Sequence, residues 1–219
     1  MAPNAASSGQ LMLPETLKLL PLYTLALIKN IILRMGTDIR PDERTYYLSL
    51  ARVLPSGLLL NFIYPRLFAL HTMPDEAGLP DATGSIVLPP TVSLSSEKLD
   101  RRGVFLLEDG DLMYLWIGRE VSPDLLVALL GIPSLEGYDT STIPLPAIEN
   151  SYNVRVNNIV NAVRAQRPSF MSLHLVREGE PREIKFFSHL IEDKTKSVHS
   201  YYEFLVNLHQ RVQAKVSKR

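Results

Sequence analysis

The chain has 219 residues, of which 46% are apolar and 21% are charged. This length allows one or two domains with a real core, and this composition excludes collagen, low-complexity disorder and coiled coil as descriptions of the whole chain. The chain has no cysteine, which excludes disulfide frameworks, cysteine nucleophiles, iron–sulfur clusters and thiolate zinc sites.

The net charge is zero, but the two halves of the chain differ. Residues 1–150 carry 11 Lys/Arg and 17 Asp/Glu, a balance of −6, and residues 151–219 carry 12 and 6, a balance of +6. The basic half lacks the concentrated patch with interleaved aromatic residues that is typical of nucleic-acid binding. Opposite charges on two halves indicate that the halves meet or that one faces a charged partner.

The first elements along the chain are predicted to be helical. Residues 1–13 are small and polar and are predicted to be disordered, and they lack the pattern of a secretory signal. The apolar run 17–33 is broken by charged residues and proline, so it predicts a buried helix rather than a membrane span, with Gly36 as its stop. Two more helices are predicted, one from Pro41 to Pro55 and one over 57–63.

The pattern then changes to short strands. A strand is predicted over Arg66–Thr72, followed by a long loop over 74–96. Apolar runs over 104–107 and 112–118 flank Glu108-Asp109-Gly110-Asp111, and Asp-Gly at this place strongly indicates a β-hairpin. Trp116 lies on the second run, where a core position is favoured over a stacking platform for a ligand.

Helices and strands alternate in the last hundred residues. A helix capped by Ser122 ends at Gly131, and a second helix is predicted over 152–166. Phe170–Arg177 is predicted to be a strand, whereas Ile184–Ile191 is compatible with either a helix or a strand. The final helix has one apolar stripe, which we expect to pack on the sheet: Tyr201, Phe204, Leu205, Leu208, Val212 and Val216.

These elements predict an α+β protein with a small all-helical unit followed by an α/β unit. The helical domain is predicted over 14–64, and the second domain, a short central sheet flanked by helices, is predicted over 65–219 and includes the C-terminal helix.

The sequence contains no recognised catalytic arrangement. It has no phosphate-binding glycine loop, no His-Glu-x-x-His pair and no nucleophile elbow. We expect its five histidines to be surface or strand-edge residues, and His199 and His209, ten residues apart on the last helix, to be a poor metal pair: His71, His174, His189, His199 and His209. We therefore predict no enzyme, no metal and no cofactor.

Two charged clusters remain as candidate binding features. Glu108, Asp109 and Asp111 offer carboxylates for calcium, although a solvated hairpin tip explains them better, because the EF-hand spacing is absent. The basic end of the last helix is a candidate surface for an acidic partner or lipid, against the alternative of a solvated helix end: Arg211, Lys215, Lys218 and Arg219.

Four segments in this order resemble the COPII inner-coat cargo adaptor, which has a helical domain and a gelsolin-like domain. Leu19–Lys29 resembles the helical-domain segment, and Tyr64–His71 resembles the passage into the gelsolin-like domain. Gly103–Asp111 with Tyr114–Gly118 resembles the gelsolin-like hairpin. The ending, Leu190–Asp193 with Ser200–Leu205 and Leu208-His209, is similar to the adaptor's C-terminus.

The resemblance implies a non-enzymatic component of the coat that buds vesicles from the endoplasmic reticulum toward the Golgi. It implies a cytoplasmic protein, peripheral on the cytosolic face of endoplasmic reticulum exit sites and on COPII vesicles. Through the parent protein it implies two partners, the GTPase-activating coat subunit and a small GTPase. It also implies binding of cargo and SNARE sorting signals, mainly through other domains.

The resemblance covers about 14–217, the C-terminal part of such an adaptor, and leaves out the zinc ribbon and the trunk. We expect a fragment, a truncated gene product or a short paralogue, with a divergent start over Met1–Gln10. The alternative is a free-standing gelsolin-like module that binds actin or calcium, although such a module needs no preceding helical unit.

Overall fold

The computed structural model of the chain describes residues 13–34 and 39–217. Residues 1–12, most of the segment predicted to be disordered, lie outside the described residues. So does Gly36, which was predicted to end the first helix.

Three helices form the first unit: α1 (Leu20–Lys29), α2 (Pro41–Val53) and α3 (Ser56–Ile63). Proline lies in the first turn of α1 and of α2, where its missing N–H is not needed. The predicted second and third helices are thus confirmed, with α3 beginning one residue early.

The helix α1 is buried on one face only. Leu25 and Ala26 are fully buried, but Ile28 is 41% exposed and Leu20 is 54% exposed. The prediction of a helix buried all round is therefore wrong within this chain, because nothing in the described residues covers the outer face of α1.

A five-stranded sheet follows the helices. Its spatial order is β2-β1-β3-β4-β5, with every neighbouring pair antiparallel except the parallel pair β4 and β5. Its strands are β1 (Arg66–Ala69), β2 (Thr91–Val92), β3 (Val104–Glu108), β4 (Leu112–Ile117) and β5 (Ser172–Arg177).

The predicted hairpin is present at the centre of this sheet. Val104 pairs with Ile117 and Glu108 with Met113, and Gly110 in the turn has φ +92°. That left-handed backbone is the reason for glycine in the Asp-Gly pair. The strand β2, only two residues long, lies inside the predicted loop 74–96 and was missed.

The parallel pair is joined by the crossover that such pairing requires, here through α4 (Pro123–Leu130) and α5 (Ser151–Ala165). The Ser122 hydroxyl accepts a hydrogen bond from the Leu125 N–H at 3.3 Å, and Gly131 ends α4 with φ +75°. Both predicted caps are confirmed.

Each face of the sheet packs on its own core because side chains alternate along a strand. The first core joins the sheet to α4 and α5, and the second joins it to the segment that begins at α6 (Glu183–Phe187) and to Ala26 of α1. Trp116 is 2% exposed in the second core, as predicted. The ambiguous segment 184–191 is therefore a short helix followed by buried Leu190 and Ile191.

The last helix, α7 (Tyr201–Val216), begins at a capping box. The Ser200 hydroxyl accepts from the Glu203 N–H, and the Glu203 carboxylate accepts from the Ser200 N–H. The predicted packing of α7 on the sheet is wrong: α7 packs mainly against α1, no α7 residue belongs to either sheet core, and none of its side chains is fully buried.

Candidate binding site between the helices and the sheet

The turn of the central hairpin faces the helical unit instead of solvent. Glu108 is fully buried and Asp109 is 9% exposed. The glycine between the two aspartates packs against Phe62 of α3, which a Cβ on Gly110 would approach to 3.2 Å. The prediction of a solvated hairpin tip is therefore wrong, because the turn is where the two units meet.

The buried Glu108 carboxylate is held by two guanidinium groups. Arg66 Nε on β1 donates to Glu108 Oε2 at 2.8 Å, and Arg167 Nη2 donates to Oε1. Arg167, whose side chain is 2% exposed, also donates from Nη1 to the Leu58 carbonyl oxygen of α3 at 3.0 Å. One buried acid thus ties together β1, β3, α3 and the segment after α5.

The two aspartates of the turn have different partners. Asp109 Oδ1 accepts from the N–H groups of Asp111 and Leu112 at 2.9 and 2.7 Å, and Oδ2 lies 3.3 Å from His189 Nε2. Asp111 Oδ1 lies 3.4 Å from the Tyr46 hydroxyl of α2. Burial and the charge of Asp109 raise the pKa of Asp111 above its usual value.

A cavity of about 260 Å³ lies between these elements. Its apolar and aromatic lining includes Tyr47, Phe62 and Tyr114. Glu43 and Asp109 supply acidic groups, and Lys29, Arg34 and Lys185 supply basic ones. Clefts at a junction between two units are a common place for binding sites.

The histidine of this cavity departs from expectation. His189 was predicted to be a surface or strand-edge residue, but its side chain is only 25% exposed, and its ring lies beside Tyr114 with 5.5 Å between centroids. Burial lowers the pKa of His189, and the charge of Asp109 opposes that shift. The residues next to position 189 in the sequence do not predict this contact, because it depends on the tertiary fold.

The described residues hold no candidate metal cluster of three or more His, Cys, Asp or Glu residues. His199 precedes the capping residue Ser200 and so lies outside α7, which corrects the prediction that it shares the last helix with His209. Both ring nitrogens of His209 are buried without a hydrogen-bond partner.

The basic end of α7 is separate from this cavity. Arg211 and Lys215 are exposed, as are all residues over 210–217, and Lys218 and Arg219 lie outside the described residues. No helix in the described part of the chain is both long enough and apolar enough to cross a membrane.

Comparison with known proteins connects both units to one family. Residues 1–61 match the Sec23/Sec24 helical domain, and residues 85–160 match the gelsolin repeat. Because the first match begins at residue 1, the expectation that Met1–Gln10 lies outside the family's pattern is wrong.

Similarity to individual proteins extends over nearly the whole chain. The protein transport protein SEC24 of Yarrowia lipolytica is 39% identical over 218 residues, covering 97% of this chain and 23% of the relative. The protein transport protein SEC24 C of Arabidopsis thaliana is 39% identical over 214 residues, covering 98% of this chain and 19% of that protein.

The fold comparison agrees. The crystal structure of the human COPII-coat protein Sec24c superposes with a TM-score of 0.84 at 32% identity, covering 95% of this chain and 27% of that one. The chain thus spans about a fifth to a quarter of the length of the curated relatives it matches. Over nearly its whole length the chain is therefore similar to one part of the Sec24 protein transport proteins, with a match to the Sec23/Sec24 helical domain followed by a match to the gelsolin repeat.

Proposed function

We propose that this chain acts as a non-catalytic structural piece of a COPII coat adaptor in transport from the endoplasmic reticulum to the Golgi. The observation that carries the proposal is a similarity to Sec24 proteins that runs through both units and across the cavity between them. The proposed domains are the helical domain over 14–64 and the gelsolin-like domain with the last helix over 65–219.

The proposed partners belong to the whole coat protein. They are the GTPase-activating inner-coat subunit, a small GTPase, and the sorting signals of cargo and SNARE proteins bound mainly by other domains. The proposed location is the cytosolic face of endoplasmic reticulum exit sites and vesicle membranes.

The proposal can be tested by replacing one segment of a related protein with this chain. This chain is substituted for the segment that it matches in the Yarrowia lipolytica SEC24 protein, and vesicle budding is measured with purified coat subunits and endoplasmic reticulum membranes. We expect budding close to that of the unmodified protein, and little budding when the segment is deleted. A replacement protein that is stable and soluble but does not join the coat would contradict the proposal.

We also propose that the exposed basic end of α7 contacts an acidic partner or lipid headgroups. Arg211 and Lys215 form no ion pair within the described residues. In the same budding assay, Arg211→Gln with Lys215→Gln is expected to weaken membrane recruitment, most clearly at low salt. Recruitment that is unchanged at every salt concentration would contradict this surface.

The alternative of a gelsolin-like module that binds actin or calcium has a direct test. Actin cosedimentation is measured with and without calcium, and we expect no calcium-dependent pelleting of the chain with filaments. Saturable pelleting would favour the alternative. A melting temperature that rises and saturates with added calcium would show a calcium site.

A further inference from the structure

The cavity between the units has an aromatic side built from residues of both. Tyr47 of α2 and Phe62 of α3 have ring centroids 4.9 Å apart, and Tyr114 of β4 lines the same space. Aromatic faces carry negative electrostatic potential, so a cavity lined by three rings favours a cation over an anion.

Carboxylates converge on this aromatic side. Burial raises the pKa of Tyr47, and the charges of Asp111, Asp109 and Glu43 add to that shift. The charges of Asp109 and Asp111 act in the same direction on Tyr114. The Glu43 carboxylate itself makes no hydrogen bond or ion pair within the described residues, so it is available to an incoming group.

Tyr114 adds a polar group that a ligand in the cavity could contact. Tyr114 is only 5% exposed, yet its hydroxyl has no hydrogen-bond partner among the described residues. The hydroxyl oxygen is not one of the fully buried polar atoms that lack a partner, so a group in the cavity can reach it. Tyr114 and Asp109 both line the cavity, and there the Tyr114 hydroxyl can accept a hydrogen bond from a bound N–H group.

The cations that line the cavity leave this side open, and Arg34, one of them, has an interaction of its own. Lys29 Nζ donates to the carbonyl oxygens of Ile191 and Asp193, and the charges acting on it come from Asp193 and Glu203. Lys185 is an exposed residue of α6. Burial lowers the pKa of His189, which favours its neutral form beside Asp109.

The size of the cavity limits the occupant. Its volume, about 260 Å³, lies below the range of roughly 300–1,000 Å³ that is typical of small-molecule sites. We propose that this cavity binds the side chain of an arginine or lysine presented by a partner protein, with Tyr47, Phe62 and Tyr114 around its stem and Glu43 and Asp109 at its charged head.

The proposal is tested on the full chain with two short peptide amides, Gly-Gly-Arg-Gly-Gly and its twin with citrulline in place of arginine. Citrulline keeps the shape and removes the charge. We expect the arginine peptide to bind about tenfold tighter by titration, as suits a charge-assisted hydrogen bond, and to shift NMR signals of Tyr47 and Tyr114. Equal affinity of the two peptides would overturn the proposal.

Variants separate the cavity from general attraction to acidic surfaces. Glu43→Gln is expected to lower the affinity for the arginine peptide about tenfold, and Tyr114→Phe by a smaller factor. The matched control Glu149→Gln removes an exposed acid far along the chain and is expected to leave binding unchanged. Thermal melts confirm that each variant is folded. An equal loss in Glu43→Gln and Glu149→Gln would overturn the proposal, and neither result depends on coat assembly.

Discussion

The sheet and the helical layer of this molecule have similar periodic patterns of apolar residues, but these residues are buried to different extents. The sheet is covered on both faces, and residues such as Leu106, Leu115 and Val160 are at most 1% exposed. The layer of α1 and α7 is half-covered, since α7 has no fully buried residue and Val216 is 68% exposed. A periodic stripe shows that a face can be buried, but it does not show what buries it.

The junction between these two regions should be the most sensitive part of the chain. Glu108→Gln leaves Arg66 and Arg167 without their buried counter-charge, and we expect a loss of about 3–5 kcal/mol in the free energy of unfolding. Urea denaturation measures this loss. The control is Glu120→Gln, in an exposed pair with Arg101 at 3.0 Å, which should cost less than about 1 kcal/mol.

The comparison between sheet and helical layer can be tested with one type of substitution. Leu106→Ala in the fully buried sheet core should cost about 2–5 kcal/mol, because it leaves a cavity. Leu208→Ala on the half-buried stripe of α7 should cost about 1 kcal/mol, because solvent already reaches this side chain. Equal losses in urea denaturation would show that α7 is as well packed as the sheet.

The capping box of α7 gives a smaller effect confined to the helical layer. Ser200→Ala removes the side-chain acceptor for the Glu203 N–H and should cost about 1 kcal/mol. Circular dichroism during thermal unfolding would show earlier loss of helix, and Ser217→Ala at the other end of the same helix is the control. A similar effect of both substitutions would contradict a specific role for the cap.

The burial of His189 in the cavity predicts that the stability of the fold depends on pH. Because burial lowers the pKa of His189 in the folded state, the unfolded chain takes up a proton more readily. Stability should therefore fall as pH decreases below about 6.5, the ordinary histidine pKa. His189→Gln should flatten this part of the profile, whereas His199→Gln, at an exposed pair with Glu203, should not. A profile unchanged by His189→Gln would contradict this role.

The sequence predicted local features of the fold better than contacts between units. The hairpin, the Ser122 cap and the helix α5 depend on turn chemistry and periodicity over a few residues, and all are present. The burial of Glu108 depends on its ion pair with Arg167, 59 residues away along the chain. A pattern over a few neighbouring residues does not predict a contact between positions this far apart. The same reason explains why the acidic turn was interpreted as solvated and His189 as a surface residue.

The family resemblance supplied what periodicity could not. The segments Leu19–Lys29 and Gly103–Asp111 pointed to the right domains, although neither contains a catalytic motif. The partner of α7 was nevertheless predicted incorrectly, because an apolar stripe fits the sheet and α1 equally well. Identifying a domain from its sequence did not identify which surface each helix covers.

Hydrogen exchange of backbone amides tests the central claim most directly. We expect amides of β3 and β4 to exchange only by global unfolding, and amides over 208–216 of α7 to exchange by local opening of much lower free energy. Such a difference would support a closed sheet beside an open helical layer. Protection in α7 equal to that in β3 and β4 would contradict the account.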